Sequence, residues 1–123
     1  NYPEPELDDM LRTLAVARLL LSDEISLQAP PNLEARYGHY INAGINDWGG
    51  ISPLTIDYIN PGHAWPQIAD LRRVTAELGY RLDERLTVYP RYQQPEESFV
   101  HPDILARVQR LSRKDGLALV QCD

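Results

Sequence analysis

Two amide or carboxylate side chains, an indole and two glycines fall within five positions, Asn46-Asp47-Trp48-Gly49-Gly50. Asn46 and Asp47 carry the donors and acceptors to hydrogen-bond a ribose or a heterocycle, and Trp48 can pack on a ring. The glycine pair lets backbone approach a bulky ligand closely. The same residues also suit a tight turn with a core tryptophan, because Asp and Gly are turn formers. Both readings stand at this point. Gln28 closes a short apolar run, where a lone polar side chain serves a ligand or, more commonly, a loop carbonyl. Asn32 follows Pro30-Pro31 as the cap of a rigid strand-to-helix turn, and a helix beginning there would offer free N–H groups to a ligand. Thr87-Val88-Tyr89-Pro90 ends a third run, and Glu84-Arg85 inside that run is a charge pair best read as structural. His39, His63 and His101 share no metal-ligand spacing, and only His63, in a long loop, stays of interest. There is no phosphate loop, G-x-S-x-G elbow or dinucleotide fingerprint.

These residues need elements to position them. Leu7, Met10/Leu11, Leu14, Ala17 and Leu21 have helical spacing, with prolines and acids suited to an N-terminus. Ile25–Ala29 reads as a strand stopped by Pro30-Pro31. A second helix is expected from the Asn32 cap, with Leu33, Tyr37 and Tyr40/Ile41 inward and Gly44 as its stop. Ile45–Trp48 reads as the next strand, followed by a long Pro-, Asn- and Gly-rich connection, Ile51–Trp65, of a length that usually has a function. Pro66 opens a third helix with Ile68, Leu71, Val74/Thr75 and Leu78 inward and Gly79 behind. Arg81–Tyr89 has Leu82, Leu86 and Val88 at even spacing and reads as a strand. Tyr92–Ser98 is a polar loop. His101-Pro102 starts a last helix, with Ile104/Leu105, Val108 and Leu111 inward, ended by Gly116 before a short apolar tail, Leu117–Val120. Alternating helices and strands with crossover-length connections argue for parallel strands covered by helices. The expectation is α/β, an incomplete barrel or doubly wound fold. In such folds ligands meet the carboxyl ends of strands, which are the three stretches above.

At 123 residues the chain is one domain or less. Twelve basic and eighteen acidic side chains give a net charge of -6, which disfavours nucleic acid as a partner. No apolar run is long enough to span a bilayer, and no signal peptide is evident, so the expected location is cytoplasmic. The single Cys122 excludes an internal disulfide framework, a Cys-rich zinc site and an iron–sulfur cluster ligated by this chain alone. With Asn1-Tyr2 at its start and Met10 as its only methionine, the chain is read as continuing upstream of Asn1.

Three blocks are distinctive: Leu27-Gln28-Ala29-Pro30-Pro31-Asn32-Leu33, Ala43 to Pro53 around Asn46-Asp47-Trp48-Gly49-Gly50, and Glu84-Arg85-Leu86-Thr87-Val88-Tyr89-Pro90. Together with Pro3-Glu4-Pro5, Met10-Leu11-Arg12-Thr13 and Asn60-Pro61 to Trp65-Pro66, they resemble the radical S-adenosylmethionine family of 7,8-didemethyl-8-hydroxy-5-deazariboflavin (FO) synthases, subunit 1. The resemblance runs from about Pro3 to Tyr92 and more loosely through the last helix. It implies a partial (β/α)6 barrel of which this chain is the C-terminal half, with residues 1–92 in the barrel and 93–123 a helical extension. It also implies S-adenosylmethionine and a 4Fe-4S cluster as cofactors of the parent enzyme. The reaction implied is cyclisation of a tyrosine–ribityluracil adduct, with loss of ammonia, to the deazaflavin chromophore of coenzyme F-420. Implied partners are that adduct, the N-terminal half of the barrel, and a companion enzyme (subunit 2, separate or fused) that makes the adduct. By resemblance, Gln28, Asn32, Asn46, Asp47, Gly49, Gly50, Ser52, Thr55, Arg85 and Thr87 line the cavity. The chain departs from the family in lacking the three cluster cysteines, so alone it is expected to be inactive. Two alternatives stand beside this reading. One is a non-catalytic ligand- or protein-binding module derived from such a barrel. The other is a different radical enzyme on a related barrel, against which the Trp48-Gly49-Gly50 block argues.

Overall fold

The computed structural model describes residue 3, residues 5–94, residue 96 and residues 99–119. The Asn1-Tyr2 opening, Glu4, Val120 and Cys122 lie outside the described residues. The chain divides into two compact units, Asn1–Tyr80 and Arg81–Asp123.

The first unit holds three helices. α1 (Leu7–Leu20) begins after an extended Glu6 and carries Asp8 and Asp9 in its first turn, where acids favour the exposed N–H groups. It buries Leu14. α3 (Ile68–Glu77) follows its expected course: Leu71 and Thr75 are buried, and Gly79 takes the left-handed φ of +85° just beyond the helix. Leu71 is fully enclosed, which makes it the centre of this unit's core alongside Tyr40, Ile45 and Trp48.

α2 (Gly38–Asn42) is a correction. A longer helix capped by Asn32 was expected, but residues 31–37 form turns instead. The Asn32 NH2 is held by distant acceptors while its side-chain oxygen, the atom a cap would use, accepts from no N–H. Locally, the Glu34 carboxylate accepts from the Arg36 backbone N–H at 2.8 Å, drawing the chain into a turn. Leu33, expected inward, is therefore exposed.

The expected strands Ile25–Ala29 and Ile45–Trp48 meet in the expected parallel sense, but only at one bridge, Gln28 with Asp47. Beside it, the Asn46 N–H donates to the Leu27 carbonyl at 3.2 Å. The Leu27 N–H donates to the Asn46 side-chain oxygen at 2.8 Å, so a side chain stands where a ladder would use backbone. Pro30-Pro31 and Gly49 end the pairing on either strand within two residues. The connection from Ile51 to Trp65 leaves Leu54, Ile56, Tyr58 and Ile59 exposed.

In the second unit the expected strand Arg81–Tyr89 is absent, and no strand ladder occurs among the described residues. The Arg85 guanidinium donates to the Leu86 carbonyl at 2.9 Å and the Thr87 carbonyl at 3.4 Å, occupying acceptors that a ladder would need. A short 3-10 turn, Pro90–Gln93, takes in the first two residues of the expected polar loop, Tyr92–Ser98. α4 (Pro102–Leu111) begins as expected: Pro102 occupies its first turn, and the His101 ring Nδ1 caps it by accepting from the Asp103 N–H at 3.3 Å. It stops at Leu111 rather than at Gly116: Ser112 is extended, at φ -104° and ψ 146°, and the Leu111 carbonyl accepts from the Leu119 N–H at 2.7 Å. Gly116 instead holds a turn at φ +79°, where a Cβ would sit 2.6 Å from the Pro90 Cβ. Gln93, buried among these segments, donates to the Val88 and Gly116 carbonyls at 3.0 and 2.9 Å and accepts from the Ser112 hydroxyl at 3.0 Å. Backbone joins these segments as well: Ser112 and Ala118 pair at one antiparallel bridge, and the Ala118 N–H donates to the Glu84 carbonyl at 2.9 Å.

Candidate functional site

The single parallel bridge brings together the most informative of the sequence-predicted residues. The Gln28 amide donates to Asp47 Oδ2 at 3.4 Å, and Asp47 Oδ1 accepts from the Gly49 N–H at 2.7 Å. Gly49 takes φ +76°, and a Cβ on it would lie 3.3 Å from Gln28 Oε1. This glycine is thus demanded by the positive φ of the chain's own turn, while the exposed Gln28 side chain would crowd a Cβ only mildly. Gly50 differs: no atom lies within 4 Å of its would-be Cβ, so its backbone is open to an approaching group. Gln28, Asn46 and Gly50 are exposed, and Asp47 and Gly49 are half-buried. Gln28 was expected at the end of a buried strand; with one bridge in place of a sheet, it stands at the surface.

Trp48 settles the other way. It is buried, with the edge of Tyr37 at 5.6 Å and an interplanar angle of 89°. Such edge-to-face pairs add about 0.5–1.5 kcal/mol beyond their area. The indole is core, and its neighbours Asp47 and Gly49 carry the surface chemistry.

Asn32 belongs to a second cluster in the same unit. Its amide donates to Asp57 Oδ2 at 2.9 Å and to the His63 carbonyl at 3.3 Å. Asp57 further accepts from the Asn60 amide at 3.1 Å and from the Ile59 and Asn60 N–H groups at 2.9 and 3.1 Å. The Asn60 amide first, then Asn32 and those two N–H groups, hold the Asp57 carboxyl down at about 2. Asn32 is 8% exposed, and its Oδ1 is buried with no hydrogen-bond partner. Asp57 and Asn60 were missed from the sequence. The signal available was the Asp-x-x-Asn spacing in a loop, the pattern of a carboxylate folding back on the next N–H groups. His63 contributes its backbone carbonyl rather than its imidazole to this cluster.

Ser52 and Thr55 form a turn of their own, with the Thr55 hydroxyl donating to the Ser52 oxygen at 2.8 Å. Arg85 and Thr87 belong to the second unit. There Arg85 stacks on the Tyr89 ring at 4.2 Å and bonds carbonyls of its own segment, a local structural role. The second unit also carries an open, mainly polar cleft of about 360 Å³. Its lining includes Gln93, Ser112, Arg113 and Lys114 and, of the three strand-end stretches picked out in the sequence, Pro90 alone; none of the ten expected cavity-lining residues is there. Gln93 has all its polar atoms bonded within the protein, so the cleft is a by-product of that joint.

Among the described residues, no group of three or more His, Cys, Asp or Glu side chains is placed to hold a metal ion. With one cysteine in the sequence, a three-cysteine cluster set cannot come from this chain. No helix among the described residues is long and apolar enough to cross a membrane. The arrangement at Gln28, Asp47 and Gly49 offers amide, carboxylate and backbone groups at one surface. That chemistry recognises hydroxyls and heterocycle edges and holds no nucleophile–base pair.

Comparison with known proteins gives a consistent answer. The chain is 50% identical over 113 residues, 91% of its length, to the FO synthase of Streptomyces avermitilis. It is 47% identical over 119 residues, 96% of its length, to the 7,8-didemethyl-8-hydroxy-5-deazariboflavin synthase of Methanopyrus kandleri. The synthase of the same name from Methanococcus aeolicus is 50% identical over 93 residues, 75% of the chain. These matches span 13%, 35% and 26% of the respective relatives. No protein-family model and no solved structure matches the chain. Identity of this order, held across nearly the whole sequence in several relatives, places the chain in the FO synthase family as a match to part of its members' length.

Proposed function

We propose that this chain is one wall of the reaction cavity of a radical S-adenosylmethionine lyase. In this reading the lyase cyclises a tyrosine–ribityluracil adduct to the deazaflavin chromophore of coenzyme F-420 and releases ammonia. Residues 1–92 are then the C-terminal part of a partial (β/α)6 barrel, and 93–123 its helical extension. The observation that supports this best is the parallel bridge, which sets the ends of two consecutive extended segments side by side and gathers Gln28, Asp47 and Gly49 there. Strand ends are where ligands meet α/β barrels.

The chain's own residues act by holding and excluding. Gln28 and Asp47 bind hydroxyl or heterocycle edges of the bound nucleoside or adduct, and Gly50 lets that ligand approach the backbone. Asn32 continues the wall after the first of these segments, and Ser52 and Thr55 after the second. S-adenosylmethionine, when bound, supplies the hydrogen-abstracting chemistry. The protein must hold one hydrogen in line and keep water out, which needs fixed amides and close backbone rather than a tuned base. The cluster ligands lie in polypeptide outside this chain, and the companion enzyme, separate or fused, supplies the adduct. A cytoplasmic setting suits an oxygen-sensitive cluster.

The test is a full-length chimera in which this chain replaces the matched third of the Methanopyrus kandleri protein. Given adduct, S-adenosylmethionine and reductant, it should form the deazaflavin, detected by mass and absorbance. A folded, cluster-loaded chimera that cleaves S-adenosylmethionine yet makes no deazaflavin would sink the reading.

A further inference from the structure

α1 carries two apolar faces. One is spent inside its own unit, where Leu14 is buried. The other consists of Val16, Leu19 and Leu20, which are 53%, 84% and 80% exposed. Their i, i+3, i+4 spacing makes them one patch on the helix surface. The preceding turns of the same side are polar, with Arg12 and Thr13 exposed, so the patch is confined to the second half of the helix. A helix apolar on two sides is built to be packed on two sides.

Size decides what packs there. Three side chains fall far short of the ~800 Å² per partner that holds two separate molecules together. A segment of the same polypeptide, by contrast, docks without the entropy cost of association. The family supplies such polypeptide: the matched stretch is 35% of the Methanopyrus kandleri protein and 13% of the Streptomyces avermitilis one. We propose that Val16, Leu19 and Leu20 are the docking face for an amphipathic helix from the remaining polypeptide of a full-length family member. This rests on the reading above and names the surface at which the two parts of the barrel join.

The experiment uses single cysteines at Leu19→Cys and, as a second position, Leu20→Cys. Each is placed in the 123-residue chain and in the full-length chimera described above. Maleimide labelling is followed by peptide mass spectrometry at the introduced position, with Arg12→Cys as the control. Labelling at both leucine positions should be at least tenfold slower in the chimera than in the short chain, with Arg12→Cys labelled alike in both. Equal rates at Leu19→Cys and Leu20→Cys in the two proteins overturn the proposal. So does a short chain that sediments as a dimer and is itself protected there, since a second copy then covers the face. A chimera that is protected at both positions but makes no deazaflavin upholds the docking face and counts against the functional reading alone. One that makes deazaflavin while labelling fast overturns the docking face alone.

Discussion

Asp57 shows how much a single side chain can organise. Four donors converge on its carboxylate, two from Asn60 and one each from Ile59 and Asn32. Its carboxyl is held at about 2, below the ordinary value of 3.8. Because the folded value lies below the unfolded one, its contribution to stability is fully present above about pH 4 and is lost as pH falls toward 2. A carboxyl NMR titration should therefore find Asp57 ionised at pH 3, where ordinary aspartates are mostly protonated. A midpoint near 4 would show the four-donor arrangement to be absent in solution. At the bridge, Gly49→Ala should destabilise the first unit by about 1–2 kcal/mol, mainly from the left-handed φ, with only mild crowding of Gln28. Gly50→Ala, in open space, should change stability by less than about 0.5 kcal/mol. Urea unfolding of the two variants makes the comparison. Residue types at Asn46–Gly50 were legible because their functional groups cluster in sequence. Asp57 was legible only as far as its local Asp-x-x-Asn turn, because the fourth donor, Asn32, comes from 25 positions away.

At the scale of elements, three helices were legible, while α2 and the strands were legible only in part. α1, α3 and the start of α4 declare themselves through apolar spacing, flanking proline and glycine, and a capping histidine. Apolar alternation, however, says that a segment is extended without saying that it has a neighbour. Arg81–Tyr89 forms no strand ladder: its Arg85 serves the carbonyls around it, and its Glu84 carbonyl accepts from the Ala118 N–H at 2.9 Å. Asn32 reads as a cap by residue type, but its NH2 is held by a partner 25 positions away and its side-chain oxygen accepts from no N–H. Long-range claims of this kind are invisible to local pattern. Two substitutions in α3 separate packing from polarity. Leu71→Ala, at a fully enclosed position, should cost about 2–5 kcal/mol. Thr75→Val one turn later removes a buried hydroxyl that has no partner and should raise stability by about 1 kcal/mol. Thermal and urea unfolding read both. In the second unit, Gln93→Leu strips the Val88 and Gly116 carbonyls of their donor and should cost about 2–4 kcal/mol.

For the molecule as a whole, the match to only part of its relatives' length agrees with the single cysteine, too few for the three-cysteine set that the proposed function requires. The division at Tyr80–Arg81 was not legible in the sequence, since nothing in the composition there marks a boundary. The 123-residue chain, incubated with S-adenosylmethionine and a strong reductant, should yield no 5′-deoxyadenosine by chromatography. Turnover without any added polypeptide would contradict the assignment of cluster chemistry to polypeptide outside it.

The Asn32 amide also has a bearing on how the first unit acquires its structure in time. Hydrogen bonds within α1 and α3 span a few residues and form fast, whereas this amide closes stretches of 25 and 31 positions. Such closures gain nothing until the intervening chain is already ordered. Asn32→Ala should therefore speed unfolding while leaving the refolding rate within about twofold of the original, a φ-value near zero in stopped-flow chevrons. The connection that carries Leu54, Ile56, Tyr58 and Ile59 is then the last part of this unit to be fastened down and the first to come loose.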